Sequence, residues 1–135
     1  MREIKFRGVK LDSEEWVYGY YFEQKMLYGD HSMIIANTEE PNDWDDKEQR
    51  YFHVKRETIG QYVGLKDINQ KEIYEGDITC NHTVILFNEL KSMFCEYYYN
   101  PFTKKYSLSG FPLIASFEVK GNIHENPNIL TQHKN

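Results

Sequence analysis

The stretch from Thr58 to Ile78, TIGQYVGLKDINQKEIYEGDI, constrains this chain more than any other, because it places two reversals in one short run. Thr58-Ile59-Gly60-Gln61-Tyr62-Val63 is β-branched and aromatic, and reads as a strand that Gly64 ends. Lys66 to Lys71 is polar apart from Ile68, with Asp67 and Asn69 at positions where a reversal uses side chains that bond back to their own backbone. Glu72-Ile73-Tyr74 is a short apolar touch, and Glu75-Gly76-Asp77 is a second turn in which Gly76 is expected at a conformation only glycine fits well. Reversals this close hold neighbouring backbone segments in fixed relation. The stretch contains no nucleophile elbow, phosphate loop or metal spacing, so it reads as a fold determinant.

Upstream, Arg2 to Arg7 alternates, with Ile4 and Phe6 on one face and Glu3, Lys5 and Arg7 on the other, until Gly8 breaks the pattern. Leu11 to Glu15 is a polar reversal and Trp16 to Phe22 a second strand, which together predict a hairpin. Gly19 inside that aromatic strand predicts a bulge or a close backbone approach. A turn at Tyr28 to His31 leads into a short buried strand, Ser32 to Ala36. Asn37 to Arg50 is an acidic loop holding Glu39, Glu40, Asp43, Asp45, Asp46 and Glu48, in which Asn42 could cap one short helix. Phe52-His53-Val54 returns the chain to Thr58.

Downstream the pattern is again hairpins: Ile78 to Phe87, a turn at Asn88 to Lys91, Met93 to Tyr99, a reversal at Asn100 to Lys105, then Tyr106 to Leu108. Gly110-Phe111-Pro112 breaks the run. Ala115 to Ile123 alternates most clearly, with Ala115, Phe117, Val119 and Ile123 inward and Ser116, Glu118, Lys120 and Asn122 outward. Asn126 is placed to cap a terminal helical turn with Pro127 at its first position, and Thr131 to Asn135 is expected to fray. The predicted fold is mainly β: an N-terminal antiparallel hairpin or sheet region with the acidic loop over residues 1–57, and a strand–turn connector over 58–78. A small C-terminal β-barrel over 79–130 and a tail over 131–135 follow, with few short helical turns.

Composition supports this reading. Among 135 residues there are 11 Tyr and 8 Phe, and aromatic side chains favour half-buried pleated surfaces. The formal net charge of -5 argues against a general nucleic-acid binder, because phosphate neutralisation dominates such affinity. No apolar run approaches about 18 residues, so no membrane span is expected. The N-terminus carries no leader pattern, and two cysteines are too few for a disulfide scaffold, which together suggest a reduced cytoplasmic setting.

Two groups of residues are candidates for chemistry. Cys80, His82 and Cys95 could ligate a metal, since Cys-x-His shares a face in a regular strand; Cys95 would lie opposite Val84 or Ile85 if the turn centres on Leu90. Ordinary packing of a buried cysteine is the competing reading. Tyr97, Tyr98 and Tyr99, with Lys104 and Lys105 across the reversal, form an aromatic-plus-basic cluster on which the bases of a single strand could stack. The alternative is that the flanking tyrosines fill the core and Tyr98 faces solvent. The acidic loop lacks the glycine and spaced terminal glutamate of a calcium loop, and no catalytic motif occurs, so neither an enzyme nor a cofactor is expected.

Several blocks, read together, resemble the YopX family of phage and prophage proteins. They are Met1 to Gly8, Trp16-Val17-Tyr18-Gly19, Thr58 to Asp67, Ile73 to Ile78 and Glu118 to Pro127, which span nearly the whole chain. One departure is Asn69-Gln70 where the family has Asn-Gly, which would put a glutamine at a positive φ. The resemblance implies a mainly β fold with an SH3-like C-terminal barrel and a phage-encoded protein acting in the host cytoplasm; it transfers no catalytic or ligand-binding residue. The expected role is a non-catalytic protein-interaction or self-assembling module, homo-oligomeric or bound to a phage or host protein. A single-stranded nucleic-acid-binding barrel is the alternative, and a metal-dependent enzyme the third reading.

Overall fold

The computed structural model describes residues 3–27, 29–36, 51–112 and 116–131, and these are mainly β. The acidic loop with its expected Asn42 cap, and Ala115, lie outside the described residues. The chain divides into two compact units, Met1–Gln61 and Tyr62–Asn135, so most of the expected connector belongs to the second.

The first unit contains β1 (Phe6–Val9), β2 (Trp16–Met26), β3 (Gly29–Ala36), β4 (Tyr51–His53) and the start of β5 (Gly60–Lys66). They pair antiparallel in the order β4-β3-β2-β1-β5. The β2–β3 ladder runs from Gly19↔Ala36 to Met26↔Gly29, longer than apolar alternation predicted. Ladder bonds come from the backbone, so polar Glu23-Gln24-Lys25 opposite Asp30-His31-Ser32 extends the pair without a core to bury. Gly8 does not end β1. It is buried opposite Val17, where a Cβ would come within 3.2 Å of Ile34 Cδ1 and Val54 Cβ, so any larger residue would have to push these core side chains aside by a few tenths of an ångström. Nor does Gly19 bulge, since the registers with Phe6 and Ala36 run through it unbroken.

Val17, Ile34 and Val54 form this unit's core, flanked by Phe6, Phe52 and Ile59. The expected phase of the first strand fails at both ends: Ile4 precedes β1 and is exposed, while Arg7 is buried with its guanidinium carbon 4.7 Å from the centroid of the Trp16 ring. A cation over an indole face explains why a charged residue takes a buried strand position. Thr58, expected to start a strand, instead ends a 3-10 turn, Arg56–Thr58. Its buried hydroxyl donates to Lys55 O at 2.6 Å and accepts from Val9 N at 2.9 Å.

The second unit contains the rest of β5, β6 (Glu72–Tyr74), β7 (Asp77–Thr79), β8 (Thr83–Asn88), β9 (Met93–Asn100), β10 (Lys105–Pro112) and β11 (Val119–Asn122), followed by a 3-10 turn, Pro127–Thr131. Five of these strands form a sheet in the order β10-β9-β8-β7-β11, which is open, so the described strands do not close the expected barrel. Closure needs strands of matched length and stagger, and β7 has three residues and β11 four against eight in β9 and β10. Both faces of this sheet are nevertheless covered. Ile85 packs with Ile73, Phe117 and Val119 on one side, and Val84 with Ile78 and Leu130 on the other. That explains the unbroken run of buried residues Thr83-Val84-Ile85.

Two details depart from the sequence pattern. β5 continues through Gly64, at φ 90°, with a register shift between Tyr62 and Lys66. Phe117 and Val119 are buried as expected, but Asn122 is buried too, because a register shift between Val119 and Gly121 changes the phase of β11. Asn126 stands just before the last turn, where its O accepts from Ile129 N at 3.1 Å, and its Oδ1 turns back to accept from Asn122 N at 3.3 Å. A Cβ on Gly121 would come within 2.8 Å of Asn126 Cγ, which accounts for the glycine.

Asp67 ties the organising stretch to the sheet. Only 2% exposed, it accepts from Asn69 N at 2.8 Å and Lys71 N at 2.9 Å through Oδ1, and from Val119 N at 2.9 Å through Oδ2. Ile68 N adds a bond to Phe117 O at 3.1 Å. Burial pushes the Asp67 carboxyl upward, but the N–H groups of Val119, Lys71 and Asn69, with the charge of Lys71, more than offset it and hold it below the usual aspartate value. Nearby, Gly76 sits at φ 93°, donates to Ile85 O at 2.7 Å and accepts from Ile123 N at 2.9 Å. Asp77 Oδ2 closes the same turn by accepting from Tyr74 N at 2.8 Å. Gln70, in the first reversal, takes φ 66°, the strained position that the resemblance implies.

Asp67→Asn should cost about 1–3 kcal/mol, since the amide nitrogen must face one of three N–H donors. Because the folded carboxyl lies below its unfolded value, its contribution is present above about pH 3.9 and is lost as pH falls through the folded value. Denaturant titrations of both proteins should therefore converge in acid; a constant difference across that range would contradict the assignment. Gly76→Val should cost about 1–3 kcal/mol through its positive φ. By the same argument Gln70→Gly should gain about 0.5–1 kcal/mol, and thermal melts with the opposite signs would refute both.

Candidate functional site

The pleat of β2 sorts its side chains into two faces with different chemistry. Val17, Gly19 and Tyr21 turn toward the core cluster, whereas Trp16, Tyr18, Tyr20 and Phe22 share the opposite face. Register extends that second face across the unit. Tyr20 lies opposite Ile35, which lies opposite Tyr51, and Phe22 lies opposite Met33, which lies opposite His53. Tyr20 is 58% exposed and Tyr51 52%, and Tyr18 is exposed as well. Phe22 and Tyr51 meet edge-on with ring centroids 6.2 Å apart, while His31 and His53 do so at 5.2 Å. Among the described strand residues this face carries no carboxylate; Glu23 and Asp30 fall on the alternate positions.

The residues singled out from the sequence are placed differently. Tyr98 lies opposite Thr83 and Ser107 and is 53% exposed, whereas Tyr97 and Tyr99 lie on the other face of β9. Tyr99 packs against the Ile78–Val84–Leu130 cluster and meets the Tyr106 ring at 5.1 Å. Burial, and then the proximity of Tyr99, push the Tyr106 hydroxyl above the usual tyrosine value. Tyr97 accepts from Asn88 Nδ2 at 2.9 Å through its hydroxyl. Lys105, opposite Asn100, falls on the face of Tyr98, and Lys104 sits exposed in the turn at φ 56°. The pleat thus splits the aromatic-plus-basic cluster. An open groove of about 510 Å³ is lined by residues from both faces, among them His82, Tyr98, Tyr99, Phe102, Ser107 and Leu130.

Cys80, His82 and Cys95 are not brought together. The strand expected through Cys80 and His82 is interrupted by a turn, with His82 at φ 61°, so the two residues do not share a face. Cys80 packs against the Ile73–Phe117 cluster, while His82 Nδ1 lies 3.1 Å from Ile129 O. Cys95 is buried opposite Leu86, one position from the expected register, because the β8–β9 turn pairs Asn88 with Met93. Among the described residues no group of three or more His, Cys, Asp or Glu is arranged to hold a metal ion.

The fold and its exposed aromatic sheet face define a small, two-unit antiparallel β protein. The family model described as YopX protein matches residues 5–131, and the chain belongs to that family. Among solved structures it is similar to protein EF1440 from Enterococcus faecalis, at 21% identity over 96% of this chain and 99% of that one, with a TM-score of 0.40. No curated protein matches the chain. Among the described residues, no helix is long and apolar enough to cross a membrane.

The aromatic face had a visible sequence signal, Trp16-x-Tyr18-x-Tyr20-x-Phe22, although the pattern does not say which side faces the core. The His31–His53 pair had none, because the two residues meet only through the β3–β4 register.

Proposed function

We propose that this protein is a phage- or prophage-encoded module without chemistry of its own, which self-associates through the aromatic face of its N-terminal sheet. The observation that carries the reading is Trp16, Tyr18, Tyr20, Phe22 and Tyr51 on one face with three of the tyrosines exposed. Large rings with a polar tip bury much area at low entropic cost, which is why tyrosine and tryptophan concentrate at interfaces. The favoured occupant is a second copy. On a chain of net charge -5, two copies repel least through a face whose described strand residues in the first unit include no carboxylate. A two-fold axis would set the face against itself. Binding of single strands has less support, since the hairpin tyrosines are divided between two faces and the net charge is negative.

Light scattering behind size exclusion tests the reading. The wild type should show more than the monomer mass at high micromolar concentration, and Tyr20→Glu with Tyr51→Glu should return it to monomer. Both sites are exposed, so the melting temperature should change little. A strict monomer would reject self-association and direct the search to a host or phage protein.

A further inference from the structure

The geometry points to a divalent transition-metal site formed by His31 on β3 and His53 on β4. Both imidazoles are half-buried on the same sheet face, held by the antiparallel register that sets Met33 opposite His53. Their ring centroids are 5.2 Å apart, with the ring planes at 74°. Two imidazoles bound to one tetrahedral zinc at ~2.0–2.1 Å have ring centres about 5 Å apart, so the pair already stands at chelating separation. No hydrogen bond to a ring nitrogen of either residue is made among the described residues, which leaves those nitrogens available.

The backbone supports the arrangement on both sides. Val54 N donates to Ser32 O at 3.0 Å and His53 O accepts from Leu11 N at 2.9 Å, so the strands carrying the two rings are fixed next to the pair itself. Chelation then orders few further torsions. Imidazole suits zinc, copper and nickel, whereas calcium and magnesium prefer oxygen ligand sets. Among the described residues no third His, Cys, Asp or Glu joins the pair, so two ligands come from these strands. The inference does not depend on self-association; a monomer could hold the ion equally well.

The test is zinc titration of the tag-free chain by calorimetry, followed through the histidine side-chain NMR signals. The expected result is zinc binding that perturbs the His31 and His53 signals first, and that is lost in both His31→Gln and His53→Gln while His82→Gln retains it. Melting curves of the variants check that each is folded; should one not be, the His31 and His53 signals of the wild type decide alone. Absence of binding at millimolar zinc, perturbation led by other histidines, or retention in either folded variant would overturn the site.

Discussion

Three backbone N–H groups converge on one buried carboxylate, and the arrangement of the second unit depends on it. Asp67 takes two of its hydrogen bonds from its own turn, at Asn69 and Lys71, and the third from Val119, more than fifty residues later. A buried charge is tolerable only when such bonds replace its hydration. Here they do more than that, since the carboxyl is held below its usual range in spite of burial. The turn that satisfies Asp67 therefore also anchors β11. With β11 in place, Phe117 and Val119 cover Ile73 and Ile85. A second turn a few residues on repeats the logic, as the backbone of Gly76 joins Ile85 and Ile123 and Asp77 closes the loop.

The two units use the pleat in opposite ways. In the second, β8 is covered on both faces, by Ile73 and Phe117 on one side and Leu130 on the other, so its side chains serve the core. In the first, the compact cluster of Val17, Ile34 and Val54 occupies one face, and the described strands leave exposed tyrosines on the other. That asymmetry directs a functional reading to the N-terminal sheet, although the sequence cluster first drew attention to the hairpin tyrosines. Membership of the YopX family is consistent with either unit being the working part, as it transfers no site residue.

How much was legible in the sequence follows from the range of the interaction involved. Local turn chemistry was readable: Asp67 and Asp77 as turn residues, Gly76 at a positive φ, and Pro127 opening the last turn. Period-two alternation placed Phe117 and Val119 inside. It failed at Arg7, where a contact with Trp16 across the ladder permits a buried cation, and at Asn122, where one irregular pairing shifts the phase. Register lies beyond a single strand's pattern, so Cys95 was placed one position away and Cys80 was wrongly set beside His82. The histidine pair needed both register and a strand pairing across the acidic segment, and nothing local announces it.

The central claim is that the Asp67 carboxylate, ionised and buried, links the first turn to β11. It is tested most directly by following the Asp67 side-chain carboxyl carbon and the amide protons of Asn69, Lys71 and Val119 by NMR as a function of pH. The account predicts a carboxyl that titrates below the ordinary aspartate range, with all three amide protons shifting together at that pH and exchanging slowly above it. A carboxyl titrating at about 3.9, the value of an unperturbed aspartate, with a Val119 amide indifferent to it, would contradict the account.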